Sequence, residues 1–347
     1  MPRTPRSKFL NALRLRYASC RGRVMSERRS SLEGQVVVVT GASTGLGRAS
    51  AVELARVGAR VIIAGRRAET LEDTALKCRE VGGEAIPVVT DVTDEGQVAH
   101  LASRALELDG TVAVWVNNAG VTAFGSLEGS PLADHRRVIE TNLWGAVYGA
   151  RAIVPIFRRQ GRGVLINVGS ILSKVGQPFV PSYVISKFAL QGLSEALRSE
   201  LADEPGIHVC TLLPYAIDTP HFQVGANLMG RQPHAMPPTQ SPEKVARALV
   251  DLAERPRRQL HVPRVAAWGL ALHALFPEVV ERVIHDALSR WHFGAPQALN
   301  PAGNLWQPSA DPPSAHGERG PRIGFAGLVG WLIGHYASRG VRAVAGL

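Results

Sequence analysis

The chain has 347 residues, of which 45% are hydrophobic and 20% charged, so it can bury a sizeable core and is not a disordered protein. Its net charge of +10 comes mainly from residues 1–30, which hold nine Lys or Arg and one acid, and the nearly balanced remainder argues against nucleic acid binding. The three cysteines, Cys20, Cys78 and Cys210, form no close pair, which excludes a disulfide framework and a zinc motif and fits a reducing cytoplasm.

Residues 1–33 are predicted to form a basic N-terminal tail. They contain no apolar stretch long enough for a secretory signal. The segment KFLNALRLRY is mildly amphipathic and fits a basic arm at an anionic membrane surface. The other interpretation is that Met25 opens a natural start, and that residues 1–24 are an unstructured tail or belong to a misassigned start.

From residue 34 to residue 262, short apolar runs alternate with segments of helical spacing. Strands are predicted at 35–39, 60–65, 84–91, 111–120, 163–170, 207–214 and 258–262. Helices are predicted at 46–58, 68–81, 94–107, 132–159, 183–202 and 242–254. Continuous Val and Ile runs between helices are typical of a parallel sheet covered on both faces. We therefore predict a Rossmann-type, doubly wound α/β domain with about seven strands, whose ligands bind beyond the carboxyl ends of the strands.

Residues 263–347 are predicted to be a C-terminal extension of helices and proline-rich loop. Two twelve-residue apolar runs, 265–276 and 323–334, flank a segment with six prolines at 295–322, and a helix is expected after Pro277. Both runs are shorter than the ~18 residues that a membrane-spanning helix needs. They fit helices that pack on the domain or on a second subunit, and the alternative is a peripheral membrane contact.

A glycine-rich loop, TGASTGLG, joins the first strand to the first helix. Gly41, Gly45 and Gly47 let the backbone approach a pyrophosphate, and the helix N-terminus offers free N–H groups. The loop therefore predicts a dinucleotide site at this end of the sheet.

An arginine pair follows the second strand. Gly65 stands where many doubly wound enzymes carry an acid that holds a ribose 2′-hydroxyl, and Arg66 and Arg67 come next. A guanidinium group binds the 2′-phosphate of NADP(H), which a carboxylate would repel. The pair favours NADP(H), with NAD(H) as the alternative cofactor, unless both arginines are ordinary surface charges.

Polar residues also follow the later strands, and together they form a recognisable set. The motifs are Thr40-Gly41-x-x-x-Gly45-x-Gly47, N-N-A-G at 117–120, Asn142, Ser170 and Tyr183-x-x-x-Lys187. Over about residues 34–255 the chain resembles the short-chain dehydrogenase/reductase family, in which these motifs occur in this order. Ser170 precedes Tyr183 by the thirteen residues that are usual in that family.

The resemblance implies Asn142, Ser170, Tyr183 and Lys187 as catalytic residues. Tyr183 would donate a proton in carbonyl reduction and accept one in alcohol oxidation. Since a free phenol has a pKa of about 10, the ammonium of Lys187, one helical turn away, is expected to lower the pKa of Tyr183. Ser170 would polarise the substrate oxygen, and Asn142 would anchor a water that relays protons to Lys187.

The same resemblance implies the residues that bind the cofactor. They are Gly41, Ser43, Thr44, Gly45, Leu46, Gly47, Arg66, Arg67, Asp91, Val92, Asn118, Ala119, Gly120, Tyr183, Lys187, Pro214 and Thr219. One departure is Tyr215, which stands where the family usually has glycine. It removes backbone freedom and is expected to add an aromatic ring near the cofactor.

The segment 215–240 is implied to be the substrate lid. Apolar side chains in it and nearby favour a hydrophobic substrate of the steroid, lipid or xenobiotic class: Phe222, Leu228, Met229, Trp144 and Phe179. The eleven histidines show no ligand spacing, so no metal site is predicted. His221, His234 and His261 are interpreted as loop or surface residues, with a substrate contact of His221 as the alternative.

We predict an NADP(H)-dependent oxidoreductase that reduces a carbonyl group or oxidises a secondary alcohol. The alternatives are a catalytically silent cofactor-binding scaffold or redox sensor, and a tether that acts on a membrane or partner through the extension. By resemblance, pairing through helices 132–159 and 183–203 is expected to give a homodimer or homotetramer. The expected partner is a small-molecule carbonyl or alcohol in the cytoplasm, with peripheral membrane association as the alternative.

Overall fold

The computed structural model describes residues 30–237, 239–296 and 299–317, together with residues 327, 330, 331 and 334–337. The predicted basic tail and most of the apolar run 323–334 lie outside the described residues. From Leu32 onward the described chain forms one compact unit.

In the described part of the chain, seven parallel strands form the central sheet, which confirms the doubly wound fold. They are β1 (Val36–Thr40), β2 (Arg60–Gly65), β3 (Glu84–Val89), β4 (Val114–Asn117), β5 (Gly163–Val168), β6 (Ile207–Pro214) and β7 (Gln259–Val262). Their spatial order is β7-β6-β5-β4-β1-β2-β3, so the direction of winding reverses between β1 and β4. Sheets of this kind bind ligands in the crevice at that reversal.

Helices connect the strands and cover both faces of the sheet. They are α1 (Gly45–Arg56), α2 (Ala68–Glu80), α3 (Glu95–Asp109), α4 (Leu132–Ile139), α5 (Gly145–Gln160), α6 (Pro181–Glu200), α7 (His221–Val224), α8 (Pro242–Glu254), α9 (Ala266–Leu275) and α10 (Pro277–Trp291). Side-chain caps fix two of the starts: Asp94 accepts a hydrogen bond from the Gln97 amide before α3, and Ser241 accepts one from the Lys244 amide before α8.

Successive residues of β1 supply two separate apolar clusters. Val37 and Val39 pack in the cluster that includes residues of α1, α2 and α8, whereas Val36 and Val38 pack in the cluster that includes residues of α3 and α5. Adjacent side chains of a strand point to opposite faces, so a run of four valines is buried on both sides. This packing holds the carboxyl end of β1 in a fixed place.

The segment 132–159 is not the single α-helix that its spacing predicted. α4 and α5 are joined by a π-helical turn, Glu140–Trp144, which contains Asn142. A π-turn inserts one extra residue into a helix and often marks a functional position. The side chain of Asn142 is buried in the interior of the protein.

The extension begins with a helical hairpin, α9 and α10, in agreement with the helix expected after Pro277. A row of large apolar side chains on this hairpin is exposed to solvent: Val265, Trp268, Leu272, Leu275, Phe276 and Val279. In the described residues, no helix combines the length and the apolar character that crossing a bilayer requires.

After the hairpin, the chain returns to the carboxyl edge of the sheet. Residues 293–296 pair antiparallel with residues 231–233 of the predicted lid, and Asn300 pairs with Asn227. The residues that follow, 299–317, run across the ends of the strands, and we call this segment the strap. Arg66 and Arg67 donate hydrogen bonds to it across more than two hundred residues of sequence.

Candidate active site

The predicted cofactor residues gather at the carboxyl edge of the sheet. Residues 41–47 follow β1 and open α1, Arg66 and Arg67 follow β2, Asp91 and Val92 follow β3, Asn118 to Gly120 follow β4, and Pro214 and Thr219 lie at and after the end of β6. Parallel strands end at one edge, so residues distant in sequence come together there.

The glycine loop lies tightly against the segment after β4. Gly41 has a φ of +66°, and a Cβ atom there would lie 2.7 Å from the Cα of Ala119. The side-chain Nδ2 of Asn118 donates to the carbonyl oxygens of Thr40 and Gly41 at 2.8 and 3.2 Å. Thr219 is the side chain nearest to a Cβ placed on Gly45, so the far wall of the crevice faces the start of α1. A glycine cradle that opens a helix fits the pyrophosphate of a dinucleotide.

Tyr183 and Lys187 lie in the first two turns of α6, which begins with Pro181. The Lys187 ammonium donates a 2.8 Å hydrogen bond to the Val168 carbonyl at the end of β5, and its nitrogen lies 5.4 Å from the centre of the Tyr183 ring. The lysine side chain is buried, with 4% of its residue surface exposed. The strand end therefore fixes the lysine, and the lysine lies beside the phenol.

Ser170 follows β5 and is the first residue before a short 3₁₀ turn. Its hydroxyl oxygen accepts a hydrogen bond from the Leu172 amide at 3.1 Å. The Ser170 side chain also hydrogen-bonds the phenol of Tyr183. The structure thus brings the predicted serine and tyrosine into direct contact.

Burial controls the protonation of this pair. It raises the pKa of Tyr183 to about 12, although the hydrogen bond with Ser170 lowers it in part. Burial also lowers the pKa of Lys187 to about 8. Burial outweighs the Ser170 hydrogen bond at the phenol, and the lowering of the Tyr183 pKa by Lys187 stays a prediction.

The Asn142 side chain holds the chain just after the N-N-A-G segment. Its Oδ1 accepts from the Val121 amide at 2.8 Å, and its Nδ2 donates to the Val121 carbonyl and to the Ser186 hydroxyl, each at 3.0 Å. These bonds occupy the side-chain amide and tie the π-turn to α6. The predicted role in a proton relay therefore has to involve an atom of Asn142 outside this amide.

Asp91 lies in a partly buried ion pair that sequence reasoning missed. The Asp91 carboxylate is 3.2 Å from the guanidinium of Arg137 and accepts hydrogen bonds from the Thr93 backbone and side chain. Burial opposes ionisation, but the Thr93 hydrogen bonds and the charges of Arg137 and Arg66 outweigh it and lower the pKa of Asp91. Arg137 belongs to none of the motifs found in the sequence.

The predicted phosphate-binding arginines contact the strap. Arg66 donates to the carbonyl oxygens of Asn304, Leu305 and Trp306 at 2.8, 3.3 and 3.2 Å. Arg67 donates to the Asp311 carbonyl at 3.2 Å. The arginine pair is therefore engaged by protein backbone rather than by solvent alone.

Further contacts fasten the strap to the crevice. Leu305 is fully buried in an apolar cluster against which Tyr183 packs. The Trp306 indole donates to Asp134 at 3.2 Å, and its ring lies 5.3 Å from the Arg137 guanidinium. At the far end, the Gly45 amide donates to the Ser314 carbonyl at 2.8 Å. Nothing in the proline-rich composition of the strap indicated this destination.

The side of Tyr183 away from the sheet is aromatic. The His221 ring lies 5.5 Å from the Tyr183 ring, and Phe222 lies 6.2 Å from Phe124. The apolar cluster here contains several of the predicted substrate-contacting residues and parts of the extension: Phe124, Phe179, Val180, Tyr183, Phe222, Met229 and Phe293. Leu228 is held to Phe124 by a backbone hydrogen bond of 2.8 Å.

Three residues lie elsewhere than predicted. His221 is not a surface loop residue: it begins α7 against Tyr183, where burial, and to a lesser degree the charge of Lys187, lowers its pKa to about 4. Trp144 is half exposed and packs near Tyr148 rather than in the aromatic cluster. The third, His261, lies on β7.

Tyr215 is tied to the lid and to β7. Its amide donates to the Val262 carbonyl at 2.8 Å, and its phenol reaches the Pro237 carbonyl at 3.5 Å. Burial raises its pKa. Its hydroxyl is thus directed to the lid backbone.

Comparison with known proteins gives consistent results. A sequence profile of the short chain dehydrogenase family matches residues 35–226. The uncharacterised oxidoreductase YxnA of Bacillus subtilis (strain 168) is 38% identical over 260 residues, which cover 74% of this chain and 73% of that protein. Estradiol 17-beta-dehydrogenase 11 of Mus musculus is 28% identical, over 76% of this chain and 87% of that protein.

Two solved structures are similar as well. One is an alcohol dehydrogenase of the archaeon Thermococcus sibiricus in complex with 5-hydroxy-NADP, with a TM-score of 0.58, 29% identity and coverage of 66% of this chain and 96% of that chain. The other is a metagenomic short-chain oxidoreductase in complex with NADP, with a TM-score of 0.57, 30% identity and coverage of 67% and 97%.

Proposed function

Because the chain belongs to the short-chain dehydrogenase/reductase family and is an oxidoreductase that uses a nicotinamide cofactor, we propose that it interconverts a carbonyl and a secondary alcohol of a hydrophobic substrate with NADP(H). The observation that carries the proposal is the contact of the Tyr183 phenol with Ser170 beside the buried Lys187. A proton donor, a polarising hydroxyl and a cation at one point are what carbonyl reduction needs.

The proposed roles follow from the atoms present. Tyr183 is protonated at neutral pH and gives its phenolic proton to the carbonyl oxygen of the substrate. Ser170 donates a hydrogen bond to the same oxygen as negative charge develops on it. Lys187 places a positive charge beside the phenol and favours the phenolate that proton transfer leaves. Asn142 acts on this centre through Val121 and Ser186.

The cofactor supplies or accepts the hydride when bound. The glycine loop would hold its pyrophosphate. The segment 118–120 and Thr219 would contact the part of the cofactor that carries the nicotinamide. Asp91 and Val92 would meet the adenine, and the arginine pair would take the 2′-phosphate. NAD(H) is the alternative cofactor.

The substrate is proposed to be hydrophobic, because aromatic rings of the lid and the extension lie in the apolar cluster beside Tyr183. A polar substrate would leave its own groups unpaired against these rings. The steroid named for the mouse relative is a compound of this class.

A panel of carbonyl compounds tests the proposed function. We expect NADPH consumption with steroid, long-chain and aromatic ketones or aldehydes, and slower consumption with NADH. Small polar carbonyls, matched in electrophilicity, are the control. Turnover of the polar set alone would contradict the hydrophobic site, and equal rates with both cofactors would contradict the preference for NADP(H).

We also propose that the protein forms a homodimer through α4, α5 and α6. Leu132 on α4 is 63% exposed, and Ile185 and Phe188 on α6 are 52% and 44% exposed. Apolar side chains clustered on two neighbouring helices are typical of a subunit interface.

Replacing both α6 residues, Ile185→Glu together with Phe188→Glu, is therefore expected to give a monomer. Sedimentation velocity measures the change, and Leu76→Glu, on the exposed face of α2, is the control. A double variant that sediments like the wild type would contradict this interface, as would a wild-type monomer.

Peripheral contact with a membrane is proposed for the exposed face of α9. This helix has no Asp, Glu, Lys or Arg in its ten residues, its Trp268 is 74% exposed, and Arg264 precedes it. Exposed tryptophan with flanking basic charge suits the headgroup region of an anionic bilayer.

Co-sedimentation with phosphatidylserine-containing vesicles checks the membrane contact. We expect the wild type to sediment with the vesicles. The double variant that carries Trp268→Glu and Leu272→Glu should remain in the supernatant. The pair Leu76→Glu with Val89→Glu, which adds the same charge on another exposed surface, should bind like the wild type. Equal binding of all three proteins would contradict the proposal.

A further inference from the structure

We propose that the strap competes with the 2′-phosphate of NADP(H) for Arg66 and Arg67, and that it thereby weakens the preference of the enzyme for NADP(H) over NAD(H). The inference rests on the proposed function, because it takes the arginine pair to be the phosphate site. It concerns residues 299–317 of the chain, which the proposed chemistry does not use.

The competition follows from the hydrogen bonds of Arg66. Both terminal nitrogens of its guanidinium group donate to three successive carbonyls of the strap, at 2.8 to 3.3 Å. A bidentate pair with a phosphate needs the same fork of N–H groups. Arg66 therefore cannot hold the strap in this way and grip a phosphate at the same time.

The charge around the arginine pair favours the phosphate. The positive charges of Arg137 and Arg67 lie close enough to disfavour that of Arg66, and the Asp91 carboxylate opposes them. The strap offers Arg66 and Arg67 neutral carbonyl oxygens only. A phosphate adds a negative charge that the carbonyl oxygens lack, so it attracts the arginines more strongly and displaces the carbonyls, at a cost that the free ribose of NAD(H) does not incur.

The strap is attached so that it can give up these bonds without leaving the protein. Leu305, Trp306 and Ser314 are held at other points, by the apolar cluster, Asp134 and the Gly45 amide. One side-chain oxygen in the strap, that of Asn304, is buried without a hydrogen-bond partner. The Arg66 guanidinium can therefore turn from the strap to a phosphate while Leu305 and Trp306 keep their anchors and Arg137 keeps its bond to the Leu305 carbonyl.

The experiment loosens the strap and measures cofactor binding by isothermal titration. Trp306→Ala removes the bond to Asp134 and the contact with Arg137, and Leu305→Ala removes the buried anchor. We expect either variant to bind NADPH about fivefold more tightly or better than the wild type, with little change for NADH. Trp268→Ala, on the exposed face of α9, is the matched control and should bind both cofactors like the wild type.

Hydrogen exchange gives a second measurement on the unaltered full-length protein. We expect NADPH, but not NADH, to speed amide exchange in residues 304–306, because only the 2′-phosphate draws the arginines away. Slower exchange with NADPH than with NADH, or tighter NADPH binding in neither strap variant, would overturn the inference.

Arg66→Ala separates the inference from the function on which it rests. If this change weakens NADPH binding and the strap variants leave it unaltered, the arginine is the phosphate site and only the competition is refuted. If the wild type binds NADPH and NADH equally and Arg66→Ala affects neither, the preference for NADP(H) and the inference both fail.

Discussion

Tyr183→Phe is expected to lower kcat for carbonyl reduction by about 10² to 10⁴-fold, the usual contribution of a positioned proton donor. The change removes the phenolic oxygen alone and keeps the ring that packs against His221 and the Leu305 cluster. Binding of NADPH should stay nearly unchanged. Steady-state kinetics give the rate, and isothermal titration gives the affinity.

The pH dependence of the wild type follows from the same residue. Its pKa is raised to about 12, so the protonated phenol needed for reduction is present throughout the neutral range. Alcohol oxidation needs the phenolate, so its rate should rise with pH across that range. Tyr148→Phe, on α5, is the control. Equal rates of turnover for wild type and Tyr183→Phe would show that this phenol does no chemistry, and no turnover in either would favour the cofactor-binding scaffold.

Lys187→Met is expected to abolish turnover. We also expect the unfolding free energy of the variant, taken relative to that of the wild type, to be higher at pH 7 than at pH 9.5. The pKa of Lys187 falls from 10.5 to about 8 on folding. Between these two pH values, the unfolded chain therefore carries a proton on this lysine that the folded chain has lost. Stability of the wild type therefore rises with pH through that interval, whereas the variant has no such rise.

The size of the effect follows from the shift in pKa. From pH 7 to pH 9.5, the difference in unfolding free energy between variant and wild type should change by about 2 kcal/mol, to the disadvantage of the variant. Other groups that titrate in this range cancel in the difference. Lys77→Met, at an exposed position paired with Glu80, should give a difference without this slope. A flat difference for Lys187→Met would mean that the lysine is not held at a lowered pKa.

The strands and the order of the site residues could be predicted from the sequence because both depend on local pattern. A strand such as β1 is buried on both faces, so its residues are all apolar and are recognised without a partner. The carboxyl ends of parallel strands meet, so Ser170, which follows β5, could be placed at the cofactor edge once the sheet was predicted. Its grouping with Tyr183 and Lys187, which lie on α6, was implied by the family resemblance alone.

The rest depends on tertiary contacts that leave no periodicity. A π-turn adds one residue to a helix, which changes the apolar spacing around Asn142 too little for the turn to be recognised from the sequence. Burial of His221 results from the packing of α7 against α6, not from its neighbours in sequence. The depressed pKa of Lys187 likewise depends on which carbonyl the lysine reaches. Proline-rich composition shows only that the strap is irregular, since its partners, such as Arg66 after β2 and Asp134 on α4, lie far away in the sequence.

The position of the strap in the chain sets the order in which the crevice is completed during synthesis. β7 ends at Val262, and the strap begins at residue 299. At ~5–20 residues per second, a ribosome adds the intervening residues in ~2–7 seconds. For that interval the nascent chain has every strand of the sheet but no strap, so its arginine pair meets cellular nucleotides before it meets its own C-terminal segment.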